Sequence, residues 1–131
     1  KTYIEFVNIA VQSGDDDLSR RVVSMSSQVA KRSGDIAKLI KDISKIEAKA
    51  DEKAKRALSR AKNTLFIEYA KYTKGVDDAD LQGKLVELAE AVSADLSDRE
   101  QILADLEKAK ERDASGQFRK AVDKIKEVLS K

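Results

Sequence analysis

Apolar side chains recur along the chain with a helical period. Over residues 2–12, Tyr3, Phe6, Val7, Ile9 and Ala10 fall on one side of a short helix. Ser13-Gly14 closes it, and Asp15-Asp16-Asp17 opens the next, where carboxylates cap free N–H groups and oppose the helix dipole. The strongest pattern follows. Val22, Val29, Ile36, Ile43, Ala50 and Ala57 lie seven apart, with Met25, Leu39 and Ile46 three residues after members of that series. This is a heptad-like, coiled-coil-like seam. Arg32 interrupts it beside Ser33-Gly34-Asp35, where a break or bend is expected. Near residues 47–51 two readings compete. A compact bundle turns there with Asp51 as the cap, yet no turn residue is present and the in-phase alanines favour a helix that runs on. From Asp35 to Tyr72 such a helix would measure about 55 Å and make the molecule elongated.

Gly75, after Lys71 and Lys74, is a C-terminal stop. Asp77-Asp78 begins a helix carrying Leu81, Leu85, Leu88, Val92 and Leu96. Ser97-Asp98-Arg99-Glu100 reads as a capping box before Ile102, Leu103, Leu106 and Ala109. Ser115-Gly116 marks a turn or kink ahead of Phe118, Val122, Ile125 and Leu129. The expected fold is all-α: a single-domain bundle of four to five amphipathic helices spanning residues 1–131, elongated if the long helix runs on.

Composition agrees with this picture. Charged residues make up 38% and hydrophobic residues 41%, which long helices with one buried stripe and a wide solvated face reconcile. Proline is absent, removing the strongest helix breaker, and aromatics are 5%. No apolar run reaches the length needed to span a membrane. The opening Lys1-Thr2-Tyr3 has no initiator methionine and no signal-like pattern, so a fragment or mature form of a longer chain is expected.

Missing residue types narrow the chemistry. With no histidine or cysteine, a Glu-x-x-His di-iron site, a Cys/His zinc site, a thiol nucleophile and a histidine triad all lack their parts. Asp15-Asp16-Asp17 is followed by Leu18, Ser19 and Arg20, which breaks a calcium-loop pattern. The glycines at 14, 34, 75, 83 and 116 form no phosphate loop. Glu68, Tyr69, Lys71 and Tyr72 make a polar-aromatic cluster, read as Phe66, Tyr69 and Tyr72 packing partly in the core with Glu68 and Lys71 in water. No catalytic residue, metal or cofactor is expected, and an enzyme ranks last.

Charge supplies the functional candidate. The net charge of +2 hides a basic segment at 45–75, with nine basic and four acidic side chains, and an acidic one at 76–101, with two basic and eight acidic. At about 100° per residue, Lys49, Lys53, Arg56 and Arg60 share one stripe opposite Ala50, Ala54, Ala57, Ala61 and Leu65. Lys45 and Lys62 are supporting charges. A row of cations suits an acidic protein surface; the bland alternative is ordinary solvation. Nucleic acid is disfavoured by the modest net charge and the lack of a recognition motif. The alanine-rich face opposite the cations argues against a membrane-surface helix. The expected function is a non-enzymatic protein–protein interaction module, a role that helical ectodomains of bacterial surface or secreted proteins fill when binding host proteins. The alternatives are a self-associating scaffold built on the heptad seam and a helical domain for acidic ligands or nucleic acid. Partner identity and compartment are not legible.

Overall fold

A computed structural model describes residues 2–32 and 35–130. Among them there are seven α-helices and no strand. They are α1 (Thr2–Ser13), α2 (Asp16–Arg32), α3 (Ile36–Glu47), α4 (Glu52–Thr73), α5 (Ala79–Val92), α6 (Arg99–Glu111) and α7 (Gly116–Leu129), with a short 3₁₀ turn at Ser93–Asp95. The all-helical expectation holds; the count of four to five helices does not.

The excess comes from the heptad segment, which is three helices. The Ser33-Gly34 pair expected to break it lies outside the described residues; α2 ends before it and α3 begins after it, with Asp35 Oδ1 accepting from the Lys38 N–H at 3.0 Å. The continuous helix from Asp35 to Tyr72 is not formed. Lys49 and Ala50 donate their N–H groups to the carbonyls of Ile46 and Glu47, both at 3.1 Å, tightening the end of α3 into a reverse turn. Asp51 Oδ1 then accepts from Ala54 N–H at 2.8 Å and starts α4. The turn needs neither glycine nor proline because its residues remain near helical geometry, as at Ala48 (φ −59°, ψ −24°). Packing decides against a longer helix: folded back, α3 buries Ile36, Ile40 and Ile43. A projecting helix would leave them in water, at about 1.5–3 kcal/mol per side chain.

α4 is the central element. Leu58, Ala61, Leu65, Phe66, Ile67 and Ala70 are buried on it, a wider arc than one amphipathic stripe, because α2, α3 and α6 all pack against it. The heaviest contact is with α2, where Ser26 and Ala30 face inward. Small side chains at such a crossing let helix axes approach closely. α1 returns along α2 through Gly14, whose φ of +68° is the left-handed conformation that glycine adopts without a Cβ penalty. Tyr3 Oη and Ser26 Oγ, both buried, share a hydrogen bond of 2.7 Å and fix that pairing.

The C-terminal helices form a second group of contacts, α5 with α7 and α6 with α7, joined to the rest through α3 and α4. Phe118, Val122, Ile125 and Leu129 of α7 are buried, as their spacing predicts. A polar knot secures the two loops that enter this group. Gln82 Nε2 donates to the carbonyls of Thr73 (2.7 Å) and Val76 (2.9 Å), bracing the end of α4. Ser115 donates its N–H to the Lys74 carbonyl (2.8 Å) and its hydroxyl to Val76 (2.9 Å), while its Oγ caps the Phe118 N–H. Ser115-Gly116 is therefore a helix start.

Candidate functional site

The basic face begins at the α3–α4 turn. Lys45 on α3, Lys49 in the turn, and Lys53, Arg56 and Arg60 on α4 are all exposed. Lys49 precedes α4, so the four-residue stripe is not one helical row as its spacing suggested; a turn residue is followed by three helical ones. Lys53 Nζ lies 2.6 Å from Asp16 Oδ1 at the start of α2, which offsets its charge. Lys45, Lys49, Arg56 and Arg60 have no ion pair among the described residues.

Lys62 does not join this face. It is 5% exposed and turned inward, with Nζ 2.5 Å from Glu47 Oε1 and 3.1 Å from Ser44 Oγ. Ser59 Oγ donates to the other Glu47 oxygen at 2.6 Å, and Ser44 Oγ donates to Asp95 Oδ1 at 2.7 Å. Lys41 Nζ closes the chain on Asp95 Oδ2 at 2.8 Å. This network ties α3, α4 and the 3₁₀ turn together, giving each buried charge an opposite charge and hydrogen bonds. Burial raises the Asp95 carboxyl, but the hydrogen bonds from Lys41 and Ser44 and the charges of Lys41 and Lys62 outweigh it and hold it below the ordinary carboxylate value.

Arg56 and Arg60 open onto a surface groove between α4 and the loop that precedes α6, lined also by Glu52, Lys55, Ser59, Asn63, Ser97 and Asp98. Asn63 anchors the far wall from α4. Its Nδ2 donates to the Ser97 carbonyl at 2.7 Å and its Oδ1 accepts the Ser97 N–H at 3.2 Å, satisfying both backbone groups of one loop residue. Asp98 follows in the left-handed region, with φ 47° and ψ 56°. The expected capping box is absent. No side-chain cap bond is made at α6; Asp98 supplies its carbonyl to the Gln101 and Ile102 N–H groups. Ser97 is engaged by Asn63 instead, a competing partner from another helix.

The groove continues past Arg60 along α4, where Val23, Ile67 and Ile102 form an apolar floor and Glu68, Lys71, Asp98 and Asp105 stand at the rim. The polar-aromatic cluster at 68–72 is thereby divided. Glu68 and Lys71 border this groove and lie 3.5 Å apart. Tyr69 is half-buried and lines a separate depression with Asp35, Lys84 and Glu87. Tyr72, expected partly in the core, is 59% exposed. Spacing along α4 alone had no means of pointing to Asn63, Ser97, Asp98 or Asp105, because the groove exists only once α6 is docked.

Among the described residues no three carboxylates gather as candidate metal ligands, and no helix is long and apolar enough to cross a membrane. No protein-family model matches the chain, and no curated protein or solved structure matches it either.

Proposed function

We infer that the chain is a protein-binding module that engages an acidic surface of its partner through Arg56 and Arg60, with Lys45 and Lys49 as flanking charges. The observation that carries this reading is that both arginines are exposed at a groove and lack an internal ion pair among the described residues. Several other cations, Lys41, Lys53, Lys62, Lys110 and Lys126 among them, each meet a carboxylate, whereas among the described residues these two arginines do not. A guanidinium left open in this way is suited to a bidentate bond with a carboxylate from outside. The contact is electrostatic at its rim, so it contributes mainly to encounter rate and selectivity and weakens with salt.

The test compares capture by the immobilised chain and by its Arg56→Glu/Arg60→Glu variant, from nuclease-treated extract and from serum, with bound proteins identified by mass spectrometry. A protein retained by the wild type at low salt and lost from the variant supports the reading. Identical retained sets, with helicity intact in both, would remove this face. Lys53 is left unchanged because its reversal would place a carboxylate against Asp16 and confound stability with binding.

A further inference from the structure

The groove beside α4 has opposite electrostatic character at its two ends. At the end near the start of α4, Glu52 balances Lys55 and leaves Arg56 in excess. At the other end, Glu68 lies against Lys71 and leaves Asp105 in excess. Arg60 and Asp98, of opposite charge, line both stretches together with Asn63, so the two adjoin at this point. The apolar floor is confined to Val23, Ile67 and Ile102, of which only Val23 is half-exposed. From Glu52 to Lys71 the groove follows α4 for about 28 Å at the helical rise.

We propose that this groove holds an extended segment of a partner protein, acidic at the end that meets Arg56, apolar at its centre, and basic at the end that meets Asp105. The proposal rests on the reading of the chain as a protein-binding module and specifies what that module recognises. Charge complementarity sets the two ends of the ligand. The short floor sets its form. A bound amphipathic helix needs a long apolar trough for anchors at successive turns, whereas a floor this small accepts one side chain. A strand-like segment of about eight residues covers the length of the groove. A purely acidic segment would place carboxylates against Asp105, and that like-charge contact selects against it.

Two fluorescein-labelled peptides of about ten residues test this by anisotropy at low salt. Both carry a central leucine; one has a glutamate half and a lysine half, the other has glutamates on both sides. The expected result is that the bipolar peptide binds about tenfold more tightly. The decisive variant is Asp105→Lys, with retained helicity checked by circular dichroism. It is expected to weaken the bipolar peptide about tenfold and to strengthen the all-acidic one. Equal affinity for the two peptides, or strengthening of both by Asp105→Lys, overturns the bipolar proposal and leaves the simpler acidic-partner reading in place. Binding of neither peptide also overturns it, while the capture comparison with Arg56→Glu/Arg60→Glu still decides the broader function.

Discussion

Lys62 shows how much one side chain can depend on a contact that spacing along the chain does not reveal. Two positions beyond Arg60 is a rotation of about 200°, enough to carry it off the basic face. That rotation was available from the sequence; its destination was not, because Glu47 joins it only across the α3–α4 turn. The pair is largely buried, with Ser59 donating to Glu47 and Ser44 accepting from Lys62, so losing one member strands the other. Lys62→Met is expected to lower the unfolding free energy by about 3 kcal/mol. The double change Lys62→Met/Glu47→Gln should recover part of that loss, as the remaining charge is then gone. Urea denaturation of the two single variants and the double variant checks this; additive losses would mean that the two side chains are energetically independent.

At the level of elements, helix identity was legible and helix ends were less so. α7 buries the residues that its periodicity selects, including Phe118 and Val122; α1 and α5 bury most of theirs, Tyr3, Val7, Leu85 and Leu88 among them, but Ile9, placed on the apolar face of α1, is 55% exposed. The heptad series misled over length because sevens in register persist across two interruptions: Val22, Ile36 and Ile43 are buried, yet they stand on two separate helices. The turn at 48–51 has no glycine or proline and depends on Asp51 for its one helix-start signal. Asp51→Ala is expected to cost about 1 kcal/mol through the lost bond to Ala54 N–H. A shift in the urea midpoint with an unchanged slope checks that the loss is a local cap and does not alter how much surface unfolding exposes. The groove illustrates the other limit. Its α4 wall was visible as a basic stripe, but its opposite wall comes from residues more than thirty positions away.

For the whole molecule, paired carboxylates couple stability to pH. Besides Asp95, Glu107 is held below the ordinary carboxylate value, first by a hydrogen bond from Lys126, with Lys110 adding to it. Both groups bind protons less readily folded than unfolded. Their stabilisation is therefore complete above the unfolded carboxylate value, about 4, and is lost as pH falls through the lower folded values. A series of urea midpoints between about pH 7 and pH 3 should decline on its acid side. Asp95→Asn should lower the neutral plateau and flatten that decline. A decline of unchanged steepness in this variant would assign the acid sensitivity elsewhere. The near-neutral total charge gave no sign of this coupling, because it depends on which charges the packing brings together.

Asn63 bonds to the Ser97 backbone much as a neighbouring β-strand would, with one side-chain amide meeting both the N–H and the carbonyl. Ser97 is exposed, yet its amide hydrogen is engaged and cannot exchange with solvent isotope until that amide lets go. The loop thus carries a built-in reporter: its exchange rate measures how often the segment ahead of α6 lifts away from α4, and with it how often the groove loses its second wall.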